Sequence, residues 1–306
     1  MTFIKDLNSD EIRDGFLVPS DRKKVWNRLI ELRQEVDRIC RKHEINYWAT
    51  DGTLLGAARH GGFIPWNVDM KLCMMRPDFN RFCAIVADEI TGEMFVVGRK
   101  NFFYLPVYHS QTTLLRTTDL TDMREPQGLI IEIIPLDIVS DGTRTSSVAV
   151  NGFNELFGAV YSFSELVDYM KSGKPLINDW ALIEQLHSMD NPDEQAEFLA
   201  VFAERIFDYS SAVNPMVKFI KDKNVLPYQK SWFRGTIYLP FESIELPAPV
   251  GYEELLTACY GNWHKPILNK SNKLDSICSS DIPYREYAEL VNIKMALGIP
   301  DDKEDH

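Results

Sequence analysis

Apolar residues recur along the chain in two rhythms. After Asp21, Val25, Leu29, Leu32, Val36 and Ile39 come at helical spacing with Arg, Lys and Glu between them, which predicts a helix to about Lys42. Ile45, Tyr47 and Trp48 predict a short strand over Glu44–Ala49. Thr50-Asp51-Gly52-Thr53 reads as a turn into a helix over Leu54–Arg59, broken at Gly61-Gly62. Val68–Met74 predicts a second strand. Pro77 suits the first turn of a helix from Asp78 to about Ile90, with Phe79, Phe82, Ile85 and Val86 on its inner face. Met94–Val97, Phe102–Tyr108 and Thr112–Arg116 read as a strand meander, and Leu129–Ile134, an apolar run that ends at Pro135, as a further strand.

Four regions follow from this pattern. Residues 1–20 read as a loosely structured lead-in, 20–140 as an α+β core, and 141–230 as a helical insertion. The insertion's candidate helices are Ala159–Met170, Trp180–Ser188 and Pro192–Ile220. Residues 231–306 form a C-terminal portion with strands at Thr236–Leu239 and Ile244–Leu246, a helix at Gly251–Tyr260 and a charged tail from Asp301. Strands that bracket a helical block predict a mixed-sheet α+β fold carrying an insertion.

Composition narrows the function. The 306 residues are 45% hydrophobic and 25% charged, the profile of a folded globular chain. Thirty-three Lys and Arg stand against 45 Asp and Glu, a net charge of -12, which argues against a non-specific nucleic-acid binder. No apolar run is long enough to cross a bilayer, and the first residues carry no basic-then-apolar leader pattern. The five cysteines (Cys40, Cys73, Cys83, Cys259, Cys278) form no C-x-x-C pair, as expected of reduced thiols in a cytoplasmic protein without a zinc site.

The candidate chemistry is concentrated in Tyr47–Arg76. Gly52-Thr53 follows a strand and opens a helix, where backbone N–H groups and a hydroxyl make an anion site. Downstream, Asn67, Asp69 and Lys71 alternate along a strand and share one face. Glu132 lies inside the strand Ile131–Asp137, where a carboxylate among apolar residues is costly unless a cation or donor sits beside it.

Gly52–His60, Gly62–Trp66, Ile131–Asp137 and Pro249–Pro266, in that order, resemble the LicD family of phosphotransferases, which is related to fukutin-type proteins. The resemblance implies a nucleotidyltransferase-like core and transfer of a phosphorylcholine-type group from a cytidine-diphosphate-linked donor to a glycan. It also implies Mg²⁺ held by Asp69 and Glu132 as the catalytic acids, with phosphate bound by Gly52, Thr53, Arg59 and His60. Trp66 is the best-placed aromatic for a quaternary ammonium, against the alternative that it simply packs in the core. Arg59 is as well suited to an ion pair as to phosphate. Asp137 suits a turn as well as a ligand role.

In one respect the chain departs from the family. Where the pattern after Pro-Trp is Asp-x-Asp-x-Asp, this sequence reads Asn67-Val68-Asp69-Met70-Lys71. Mg²⁺ requires hard oxygen ligands, and an ammonium supplies none. Two unit charges about 4 Å apart interact by about 4 kcal/mol at an effective dielectric near 20, or about a thousandfold in affinity. The sequence therefore predicts weak or absent turnover. The alternative is a non-catalytic pseudo-enzyme that binds a nucleotide, a phosphorylated ligand or a protein partner.

Overall fold

A computed structural model describes residues 3–91, 94–98, 104–115, 126–138, 188, 216–217, 227–266 and 277–296. Most of the predicted insertion 141–230 and the tail from Asp301 lie outside the described residues.

The first helix, α1 (Ser20–Lys42), buries the predicted stripe together with Trp26, Ile30 and Cys40. Asp21 in its first turn and Arg41 and Lys42 in its last complement the helix dipole. In front of it stands a hairpin, β1 (Glu11–Arg13) and β2 (Phe16–Val18), where a loose lead-in was expected. Asp14 and Gly15 both adopt positive φ (50° and 83°), the two-residue turn that Asp-Gly favours. Phe3, Ile4 and Val18 are buried, so this segment belongs to the core.

The strand β3 (Trp48–Ala49) is shorter than predicted. Ile45 N–H still closes on the Cys40 carbonyl, and Glu44 takes positive φ at the end of α1. The helix α2 (Asp51–His60) starts three residues earlier than predicted and ends at Gly61, whose φ of 60° is the left-handed cap that glycine accepts without strain. β4 (Met70–Met75) leads into α3 (Arg76–Glu89), with proline in its first turn as expected.

The meander forms β5 (Phe95–Val97), β6 (Leu105–His109) and β7 (Thr113–Leu114). The long strand β8 (Leu129–Ile138) runs through Pro135 and takes in both the strand Leu129–Ile134 and the stretch Ile131–Asp137 read from the sequence. Its β6 partners end at Ile133 and its β9 partners begin at Asp137, so neither of those neighbours needs the missing Pro135 N–H. β9 (Met216–Val217) falls inside a predicted helix but pairs with β8 instead, and β10 (Pro227–Tyr228) pairs with β9.

Beyond the 3₁₀ turn Lys230–Phe233 come the hairpin β11 (Thr236–Phe241) and β12 (Ile244–Pro249), then α4 (Tyr252–Tyr260), β13 (Cys278–Ser279) and α5 (Tyr284–Ala296). β13 and α5 were not anticipated from the sequence; β13 pairs with β7.

The central sheet runs β10-β9-β8-β4-β3, with β6 attached to β8 and β5 to β6. Among the described residues only β4 and β8 pair in parallel, joined by a crossover that contains α3, and the other described ladders are antiparallel. This is the mixed-sheet α+β architecture expected. α1 and α3 pack against β8 and each other, α2 packs against β4 and β11, and β12 lies beside β3. One apolar cluster joins the sheet, α1, α2, the β11–β12 hairpin and α4.

Candidate functional site

The parallel register aligns Lys71 of β4 with Glu132 of β8. Asp69 lies two residues before Lys71, so all three side chains share one region at the start of β4. The turn into α2 grips this point of the strand. Lys71 N–H donates to Thr53 Oγ1 at 2.8 Å, and the Lys71 carbonyl accepts from Thr50 N–H at 3.1 Å. Gly52 faces the Asn67 amide so closely that a Cβ there would lie 2.5 Å from Nδ2. Five sequence-selected residues, Gly52, Thr53, Asn67, Asp69 and Glu132, therefore gather around Lys71.

The Lys71 ammonium stands 3.1 Å from Glu132 Oε2 and 3.9 Å from Asp69 Oδ2. Burial opposes its charge, but Glu132, Asp69 and Asp51 outweigh burial, and its pKa rises above the ordinary lysine value. Burial pushes the Asp69 carboxyl up, with Glu132 and Asp51 adding to the rise and Lys71 opposing it. Asp51 is the site residue that the sequence reading passed over. It is the first residue of α2, in the left-handed region at φ 49°, which Asp tolerates better than most residues. Its charge also acts on Tyr260 and Tyr228, whose hydroxyls burial already pushes up. The available signal was its place between a strand and the Gly-Thr helix start.

The donor set does not fit a divalent ion. An ammonium stands beside Asp69 and Glu132, and Asn67 and Lys71 replace two of the three motif acids. Among the described residues, no three His, Cys, Asp or Glu side chains are grouped to hold a metal.

Arg59 and His60 face other tasks at the end of α2. Arg59 donates from Nη1 to the Trp263 carbonyl at 3.1 Å and from Nε to His60 Nε2 at 2.9 Å. His60 Nδ1 meets the Asp14 carboxylate of the hairpin turn, so both ring nitrogens are engaged. Burial and Arg59 lower the His60 pKa against the pull of Asp14. Trp66 is half-buried against Phe16, with ring centroids 4.7 Å apart.

The loop before Asp69 is held from α1. Trp26 Nε1 donates to the Asn67 carbonyl at 2.8 Å and Arg22 Nη1 to the Pro65 carbonyl at 2.9 Å. Trp26 also stacks on Phe63 at 5.1 Å. Asp137 is neither a turn residue nor a ligand of this cluster. It lies in β8, fully buried, and receives two hydrogen bonds from Arg76, at 2.8 and 2.6 Å.

Comparisons with known proteins agree with this geometry. Residues 44–145 match a family model described as LicD/FKTN/FKRP, nucleotidyltransferase domain. The chain is 46% identical over 243 residues to the lipopolysaccharide cholinephosphotransferase LicD of Haemophilus influenzae, covering 74% of this chain and 85% of that protein. A shorter match, 38% identical over 58 residues and 19% of each chain, is to an uncharacterized protein of Rickettsia typhi.

Proposed function

The chain belongs to the LicD family, and on that footing we propose that it is a phosphotransferase of the phosphorylcholine-transferring kind in which Lys71 has taken the place of the metal, leaving turnover weak or absent. The observation that carries this reading is the Lys71 ammonium 3.1 Å from Glu132 and 3.9 Å from Asp69. The donor on this reading is a cytidine-diphosphate-linked head group and the acceptor a cell-surface glycan; the Haemophilus relative's name, a lipopolysaccharide cholinephosphotransferase, supports the transferred group and the acceptor class. The setting is the cytoplasm; no described helix is long and apolar enough to cross a membrane.

Phosphoryl transfer depends on positive charge that neutralises the oxygens of the moving group. In this chain one ammonium sits among three carboxylates, Asp51, Asp69 and Glu132, whose charges all act on it. Three carboxylates against one ammonium leave the cluster negative, which repels a diphosphate, and the ammonium beside Glu132 and Asp69 opposes the divalent ion that would otherwise supply the missing charge. Gly52, Thr53 and the start of α2 remain the groups placed to meet a phosphate. The same ion pair favours the second reading, a pseudo-enzyme that retains ligand or partner binding without turnover.

The test is calorimetry with cytidine diphosphate, which carries no choline, with and without Mg²⁺, beside an assay of choline-phosphate transfer to lipopolysaccharide. The expected result is weak or no binding that Mg²⁺ does not strengthen, with little or no transfer. Binding without transfer in either buffer selects the non-catalytic reading. Mg²⁺-dependent transfer at ordinary enzymatic rates overturns the proposal.

A further inference from the structure

A second charged recess lies on the far half of α1, built from residues outside the motif site. It is a groove of about 420 Å³ between one face of the helix (Arg33, Asp37, Arg38 and Arg41) and the β11–β12 hairpin (Tyr238 and Glu245). Positions 33, 37 and 41 are each one turn apart and so line up.

The helix wall is cationic. Asp37 is shared by Arg33 Nη2 at 3.4 Å and Arg41 Nε at 2.8 Å, and it also accepts from Tyr47 Oη at 2.6 Å. Arg33 is nearly buried and its Nε has no hydrogen-bond partner. The terminal nitrogens of Arg41 donate to no described residue. Arg38 is fixed by two bonds to Glu35 and one to the Glu89 carbonyl.

The hairpin wall has the opposite character. Tyr238 is 57% exposed despite its size, and Glu245, also exposed, forms no ion pair among the described residues. Guanidinium groups favour phosphate through paired N–H donors. An aromatic face beside a carboxylate favours an alkylated ammonium. A simple anion would use one wall and be repelled by Glu245. A small zwitterion satisfies both.

We infer that this groove binds a phosphate-plus-quaternary-ammonium zwitterion of the phosphocholine type, with the phosphate toward Arg41 and the ammonium over Tyr238 and Glu245, while Arg33, whose Nη2 donates to Tyr47 Oη at 2.8 Å, contributes charge from behind the wall. The inference does not rest on turnover at the Lys71 cluster, and its test uses residues remote from that cluster. Phosphocholine is titrated into the full chain by calorimetry, with inorganic phosphate and choline as controls. Arg41, Tyr238 and Glu245 are exposed, so Arg41→Gln, Tyr238→Ala and Glu245→Gln should keep the fold, which thermal melts check.

Phosphocholine should bind more tightly than either control. Loss of one charge-assisted contact should weaken it about tenfold in Arg41→Gln. Tyr238→Ala and Glu245→Gln should also weaken it, while Lys71→Ala should bind as the parent does. Phosphatidylcholine vesicles retained by the parent but not by Tyr238→Ala would support the same head-group chemistry with a lipid as its source. The inference is overturned by an absence of binding, or by binding lost in Lys71→Ala and kept in the groove variants. It is also overturned if inorganic phosphate binds as tightly and the hairpin variants change nothing.

Discussion

Two ion pairs reach β8, one from β4 and one from the first residue of α3, and they differ in what surrounds them. Arg76 and Asp137, 8% and 0% exposed, meet through two hydrogen bonds beyond the far end of β4. Lys71 and Glu132, 33% and 19% exposed, meet through one contact of 3.1 Å near its start. The first pair is dry, two-pronged and placed where the apolar sheet gives way to α3. The second is half-open, shares its cation with Asp69 and Asp51, and sits where the family motif places acids. A buried pair of matched shape joins secondary elements; an open cluster of unequal charges is suited to meet ligands. Sequence distance alone does not separate them, since both span 61 residues.

The largest expected effect comes from breaking the buried pair. Asp137→Asn strands a buried guanidinium and should cost about 3–5 kcal/mol in urea unfolding. Replacing both partners with apolar residues, Arg76→Met with Asp137→Leu, should recover most of that. If the single change costs no more than a surface substitution, the contrast between the pairs fails.

Next in size is restoration of the open cluster. Asn67→Asp combined with Lys71→Asp removes the ammonium and returns two oxygen donors, and should raise Mg²⁺ affinity about a thousandfold. Calorimetry that registers no gain sinks the account of the substitutions.

Acid must be kept apart from both pairs, because a third group responds to it. His109 is fully buried, neither of its ring nitrogens has a hydrogen-bond partner, and the Glu31 carboxylate is 3.9 Å away. Burial, and after it Arg28, pushes its pKa down to about 4. The folded value lies below the unfolded one, so the unfolded chain takes the proton first as pH falls. Stability is complete above about pH 6.5, declines toward pH 4, and should be lower by about 2 kcal/mol at pH 5. Urea melts at pH 7 and 5 should show a smaller loss in His109→Leu than in the parent; equal losses would remove His109 as the cause.

The smallest effect is Lys71→Gln alone, which should change stability by less than about 1 kcal/mol because the pair is partly open to water. A larger loss in thermal melts would make Lys71 a structural residue like Arg76.

Much of this was legible in the residues. The α1 stripe from Val25 to Ile39, the proline at the start of α3 and the helix after Gly251 follow from spacing and backbone chemistry, and they recur in the fold. The Asp14-Gly15 turn was legible too, yet was missed because the short strands beside it carry little alternation. Pro135 is tolerated within β8 because neither β6 nor β9 pairs at its position, a condition that only the assembled sheet sets. Asp137 was left between a turn and a ligand, and Arg76 carried no signal at all, since their pairing exists only once β4 and β8 are in register. Arg59 and His60 could equally have met phosphate; their engagement with Trp263 and Asp14 depends on segments 204 and 46 residues away.

The residues alone determined the family and the exchange of two motif acids for an amide and an ammonium, because identity and order are properties of the chain. Where that ammonium sits was decided only by the tertiary structure. Parallel register sets Lys71 opposite Glu132, Thr50 and Thr53 hold its backbone, and Asp51 closes in from a different element. The charge-divided groove beside Tyr238 arose in the same way, since electrostatic energies depend on distances that folding creates between residues far apart in the chain.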